Sequence, residues 1–322
     1  MVLKKRKAGE KMKDNLKTKE TTGGIENVPD LKHHDLKACG GPVSIYEAGD
    51  VGKPAVVMLH GAMYDEARFI WDQMFPFLSR DYHLFAMDTP RHGKSRPWEG
   101  NLDHSRLTEI LHDTFSQLKL DHFSLVGLSM GGSLSIEYAS HYPGEIRSMA
   151  LFEPGGLGDK VDMQLVTWLY IKFPGMLRML SKRYVKMDHA AIGKLLQSIF
   201  VGGSKPTDPD RLISILEDEV KGKYQYGEND MDDWQVNAIG PFKVKWSLLD
   251  RIPLIQCPTL WLRGADSVLV KQHEMERAVK LATEAGREAE LRIIQHAGHI
   301  LPLERPEEAN AAVKEFLDKT TG

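Results

Sequence analysis

Cysteine is nearly absent: the 322 residues hold two, Cys39 and Cys257. Two thiols cannot build a disulfide framework in a chain of this length, which points to a reducing, cytoplasmic setting. Cys257 stands beside an apolar run and reads as a small buried hydrophobe. Long apolar runs are missing as well. None approaches the roughly 18 residues that span a bilayer, so no stable membrane insertion is expected. No glycine-rich loop followed by Lys-Ser or Lys-Thr is present to cradle a phosphate. Metal-ligand clusters are lacking too, because the adjacent His33 and His34 would point to opposite faces of a strand. Neither a cofactor nor a metal is expected.

Charge is unevenly spread. Residues 1–20 carry eight Lys or Arg against three acids, a local +5 that leaves the rest of the chain at −8. This opening has no apolar h-region and no interleaved aromatic, so it reads as a basic, solvated, disordered arm over residues 1–24. No nucleic-acid role is inferred from it.

Beyond the arm, short apolar runs alternate with longer amphipathic ones. Strands are expected at Val43–Ala48, Ala55–Leu59, His83–Met87, Phe123–Val126, Met149–Phe152, Thr259–Leu262 and Leu291–Ile294. Several are apolar throughout, as in strands covered on both faces by helices. Helices are expected at Glu66–Leu78, His104–Leu118, Ser133–Tyr142, Lys271–Ala285 and Pro306–Leu317. The alternation implies an α/β fold with an open, mostly parallel sheet flanked by helices. From about 155 to 247 it gives way to helix-forming segments joined by Pro and Gly, read as an inserted helical cap. The core of the fold would then comprise residues 25–154 and 248–322. Leu165, Val166, Leu169 and Phe173 have helical spacing, and this stripe is expected to pack on its neighbours or to wall an acyl pocket.

The densest chemical signal is Gly127-Leu128-Ser129-Met130-Gly131, which falls between a strand-like and a helix-like run. A serine at such a turn has a strained backbone and an exposed hydroxyl, with glycines where a β-carbon would collide. A serine hydroxyl needs an adjacent general base, itself oriented by an acid. His299 follows the last strand in His296-Ala297-Gly298-His299, and Asp266 follows the preceding strand in Arg263-Gly264-Ala265-Asp266. The attacked carbonyl also needs two backbone donors for its oxyanion. Leu59-His60-Gly61-Ala62 places the Ala62 N–H opposite the serine turn, and the Met130 N–H at the helix start supplies the second. His60 itself is expected to be structural, hydrogen-bonded beneath this turn.

Together these segments resemble the α/β-hydrolase superfamily from about Val43 to Leu317. The likeness rests on the histidine-glycine turn, on Asp88-Thr89-Pro90-Arg91-His92-Gly93-Lys94-Ser95, on the serine elbow, and on Gly298-His299 with Glu304-Arg305-Pro306-Glu307-Glu308. It implies Ser129 as nucleophile, His299 as base and Asp266 as the orienting acid, in the chain order the superfamily uses. Glu153, ending the preceding strand, is the rival acid, and Asp88 is a loop organiser. The reaction implied is cleavage of a small-molecule carboxylic ester with an apolar acyl or alcohol part. Two alternatives stand beside it: a carbon-carbon bond hydrolase of the meta-cleavage product type, and a non-catalytic ligand-binding member. Pro154-Gly155-Gly156-Leu157-Gly158 resembles the carbon-carbon hydrolases, whereas Leu128 and Ile300 stand where they carry asparagine and tryptophan. The base must be neutral to act, so activity should fall as pH drops through its titration; a free imidazole titrates near about 6.5.

Overall fold

The fold is described from a computed structural model over residues 24–321; the basic arm expected at 1–24 lies, apart from Gly24, outside them. Eight strands form one sheet: β1 (Lys32–Ala38), β2 (Gly41–Ala48), β3 (Ala55–Leu59), β4 (His83–Asp88), β5 (Phe123–Leu128), β6 (Ile146–Phe152), β7 (Thr259–Gly264) and β8 (Ala289–Ile294). Their spatial order is β1-β2-β4-β3-β5-β6-β7-β8. The β1–β2 and β2–β4 pairs are antiparallel and all others parallel. β3 and β5 to β7 are almost wholly buried, which is why their sequences are apolar without alternation.

β1 escaped the sequence reading because its Lys-His-His-Asp-Leu-Lys-Ala run is polar, as suits an edge strand. His33 and His34 do separate across it: His33 Nε2 lies 2.8 Å from Ser44 Oγ, and His34 Nε2 lies 2.5 Å from a Glu47 carboxylate oxygen.

Two hydrophobic clusters lie on the two faces of the sheet. Helices α1 (Ala67–Ile70) and α2 (Met74–Leu78) replace the single expected helix. α3 (His104–Gln117) and α4 (Met130–His141) follow. α4 starts three residues earlier than expected, because Gly131 and Gly132 belong to its first turn and their low helix propensity concealed it.

Between β6 and β7 lie α5 (Gln164–Lys172), α6 (Met176–Tyr184), α7 (His189–Ile199), α8 (Pro209–Gln225) and α9 (Asp233–Ala238). The chain closes with α10 (Gln272–Glu284), α11 (Leu301–Glu304) and α12 (Pro306–Thr321). α12 opens as its sequence suggests, with Glu307 and Glu308 in the first turn against the positive helix end.

α8 is tied to the β4–α3 loop by buried ions. The Arg96 guanidinium donates to Glu219 of α8 and, at 2.9 Å, to Glu228, with all three side chains almost wholly buried. Lys223 Nζ donates to Asp232 Oδ1 at 2.8 Å. α5 is different: only Ile171 is buried. Leu165, Val166, Leu169 and Phe173, expected to pack inward or to wall a pocket, stand 46 to 62% exposed.

Candidate active site

Ser129 sits between β5 and α4 at φ 51° and ψ −109°, a conformation that L-residues rarely adopt. Close packing imposes it. A β-carbon on Gly131 would lie 2.0 Å from the Leu59 carbonyl oxygen, and one on Gly127 would lie 2.6 Å from Gly131. The turn is pinned by Ser129 N–H donating to Phe152 O at 2.8 Å and Gly131 N–H donating to His60 O at 3.0 Å. The hydroxyl-bearing residue stays half-buried while its neighbours Leu128 and Met130 are buried. Strain and partial exposure thus coincide at one side chain, as a nucleophile requires.

The turn after β3 is organised from below by His60. Thr89 N–H donates to its Nε2 at 2.9 Å, so Nδ1 carries the proton and donates to Gly61 O at 2.6 Å. Burial holds this imidazole well below its ordinary pKa, so it is a neutral structural post, as expected. Gly61 N–H donates to Asp65, and Met63 N–H reaches across to Asp232 Oδ2 at 2.8 Å. The Ala62 and Met130 backbone therefore belongs to two segments joined through the Gly131–His60 bond.

Asp88 is wholly buried and holds two amides, Ala67 N–H at the start of α1 at 3.1 Å and Lys94 N–H of its own loop at 3.0 Å. Ser95 Oγ donates to Asp88 O and accepts from Ser44 N–H. Gly93, at φ 48°, has no room for a β-carbon, which would fall 2.2 Å from the Asp88 carboxylate. These bonds account for the Asp, Gly and Ser of that motif. His92 packs beneath it against His60, with ring centroids 4.8 Å apart.

His299 lies on the loop after β8. Glu304 holds that loop by accepting from Gly298 N–H at 2.8 Å and also from Gly202 N–H of the β6–β7 insertion. The acid beside His299 is Glu153, not Asp266. His299 Nδ1 lies 2.7 Å from Glu153 Oε2. Since a carboxylate has no proton to give, Nδ1–H is the donor, and Nε2 is left free to accept one. Glu153 is fully buried and receives two more bonds, from Gly264 N–H at 2.9 Å and Ser267 Oγ at 2.6 Å. Both come from the end of β7, where the acid was expected. Asp266 itself is exposed, with its backbone N–H committed to Ala297 O. The β7 loop thus serves as a receptor for a carboxylate delivered by β6. The signal in the sequence was a lone acid directly ending the buried run Met149-Ala150-Leu151-Phe152.

The insertion borders the site on two sides. Tyr184 packs on Tyr64, their ring centroids 5.1 Å apart, and Val201 and Gly202 press on the His296–Gly298 loop. Among the described residues no group of three or more His, Cys, Asp or Glu could hold a metal ion.

A mostly parallel eight-stranded sheet carrying a strained serine elbow and a histidine-carboxylate pair at strand ends defines an α/β hydrolase. The family model of the alpha/beta hydrolase fold matches residues 54–306, and the chain belongs to that family. Its relatives include monoacylglycerol lipase ABHD6 of Bos taurus, 25% identical over 298 residues, covering 89% of this chain and 81% of that protein. The 2-hydroxy-6-oxo-6-phenylhexa-2,4-dienoate hydrolase of Comamonas testosteroni is also 25% identical, over 84% of this chain and 89% of its own. Among solved structures, a bacterial membrane phospholipase A superposes with a TM-score of 0.69 at 22% identity, covering 90% of this chain and 86% of its own. Naproxen esterase from Bacillus subtilis superposes with 0.66 at 20% identity, over 90% and 93%. The structural likenesses show the fold; the relatives include both ester and carbon-carbon bond hydrolases.

Proposed function

We propose that this α/β hydrolase cleaves carboxylic esters through an acyl-enzyme, with Ser129 as nucleophile, His299 as general base and Glu153 as the acid that orients it. The observation that carries the reading is the 2.7 Å bond from His299 Nδ1 to the buried Glu153 carboxylate, beside a serine held at φ 51°. Ser129 Oγ attacks the ester carbonyl as His299 Nε2 takes its proton. The Ala62 and Met130 N–H groups receive the oxyanion. His299 then protonates the departing alkoxide and activates a water that releases the acid. The insertion acts as a cap whose side chains set the acyl or alcohol pocket. Glu153 replaces Asp266 in this account because only Glu153 reaches the imidazole.

The test is covalent labelling with a fluorophosphonate probe, followed by hydrolysis of p-nitrophenyl esters of graded acyl length. Wild-type protein labels and Ser129→Ala does not. Glu153→Gln, which cannot stabilise the imidazolium, loses about 10³- to 10⁴-fold in kcat, whereas Asp266→Asn stays close to wild type. The opposite ranking would return the acid to Asp266. Inactivity on every ester combined with turnover of a dienone would transfer the protein to the carbon-carbon hydrolases, a reading favoured by the Comamonas testosteroni relative but not by Leu128 and Ile300.

A further inference from the structure

Helix α5 is apolar nearly all round, yet it turns its widest apolar arc away from the core. At 3.6 residues per turn, Leu165, Val166, Leu169 and Phe173 share an arc of about 100°. That arc faces solvent, while Ile171 on the opposite side is buried. On α6, Met179 is 57% exposed and Lys182 and Arg183 are exposed too, with exposed Lys186 just beyond the helix, and Lys172 closes the α5 stripe. From Met163 to Met187 the chain has five Lys or Arg and no Asp or Glu, with the exposed Asp162 and Asp188 bounding the stretch. Of the five, Arg178 is turned onto the Tyr224 ring and two backbone carbonyls. The other four stand in water. In a protein whose net charge is −3, this is a cationic island around exposed apolar side chains.

We propose that the outward face of α5 and α6 is a peripheral docking surface for an anionic phospholipid membrane. The apolar side chains enter the boundary between headgroups and acyl chains, and Lys172, Lys182, Arg183 and Lys186 meet lipid phosphates and carboxylates. A soluble polyanion would answer the charge and leave five large apolar side chains in water. A second copy of the chain, docked about a two-fold axis, would cover them by setting like charges against each other. An anionic bilayer surface satisfies both at once. Among the described residues no helix is long and apolar enough to cross a membrane, so the contact is one of surface seating. The proposal holds whichever acyl bond the site cleaves.

Flotation of the full-length protein with vesicles of phosphatidylcholine, alone or mixed with phosphatidylserine, tests it without using catalysis. The protein should float with the anionic vesicles, less so as salt is raised, and poorly with phosphatidylcholine alone. The variant Lys172→Gln/Lys182→Gln/Arg183→Gln/Lys186→Gln should lose binding by about fivefold per charge removed. Leu165→Ser/Leu169→Ser/Phe173→Ser should lose it by about tenfold or more even at low salt. Residues 1–20 are unaltered in every protein compared, so their attraction to lipid cancels. Both variants floating like wild type would overturn the proposal. So would a wild-type dimer that the serine variant dissolves with no change in flotation. A single Leu169→Cys, made in a Cys39→Ser background and carrying a polarity-sensitive dye, leaves the fold's contacts in place; failure of its emission to shift blue on anionic vesicles would refute the seating directly.

Discussion

α5 and α8 belong to the same insertion, and the more apolar of the two, α5, is the one that buries less. α8 buries Leu212, Ile213, Ile215, Leu216 and Val220, together with Glu219 and Lys223. α5 buries Ile171 alone. Sequence pattern does not separate them, since each shows apolar residues at helical spacing. The partners do: α8 has the β4–α3 loop opposite, whose Arg96 fixes Glu219, whereas nothing among the described residues covers the outer stripe of α5. A periodic apolar stripe therefore marks a face of a helix without saying whether that face is turned toward the protein's own core.

Breaking the anchored half has the largest expected effect. Arg96→Met leaves the buried Glu219 and Glu228 without their shared cation, and denaturant unfolding should record a loss of about 3–5 kcal/mol. A loss under about 1 kcal/mol would mean that the ion cluster does not hold the insertion down. A pair of matched truncations sharpens the contrast. Leu216→Ala in α8 should cost about 2–5 kcal/mol, and Leu169→Ala in α5 should stay within about 0.5 kcal/mol of wild type. Equal costs would erase the distinction between the two helices.

Acid should loosen the anchored half by smaller steps. Burial pushes the His104 imidazole down to about 3 where it stacks on Trp246 and meets Trp234 edge-on, both in the insertion. A histidine whose folded pKa is depressed stabilises the fold above its unfolded value of 6.5 and loses that contribution as pH falls from 6.5 toward 3. The expected slope is about 1.4 kcal/mol per pH unit in this window, and His104→Phe should flatten it. Burial opposes ionisation of Glu47, but hydrogen bonds from His83, Lys32 and His34 prevail and draw its carboxyl down to about 2. Its contribution is complete above about 4.5 and disappears as pH falls toward 2, so His104→Phe should unfold in that lower window. Thermal melts across pH check both.

The sheet was legible because its inner strands are apolar on both faces, and so were the serine elbow and the His299 loop, whose glycines are forced by contacts shorter than a β-carbon allows. What could not be read was reach. Glu153 directly follows β6 and Asp266 follows β7 by two residues, and sequence spacing does not say which carboxylate turns toward the imidazole. That is decided by Gly264 N–H and Ser267 Oγ, which build a polar socket around Glu153, and by the left-handed backbone of Glu153 at φ 41°. The outward turn of α5 was hidden for a similar reason: helical periodicity fixes a face and leaves its direction open.

The placement of Glu153 also redistributes which parts of the chain are free to change. A loop that supplied a catalytic carboxylate would have to keep its length and its sequence. Here the socket takes an amide from Gly264 at the end of β7 and a hydroxyl from Ser267 of the loop that follows, and the loop's tip carries Asp266, Val268 and Leu269 into solvent. Between Ser267 and Val270, whose carbonyls are both held by the Arg263 guanidinium, the chain runs exposed at Val268 and Leu269. A change at that tip would alter the surface beside the Glu153–His299 pair without replacing either group.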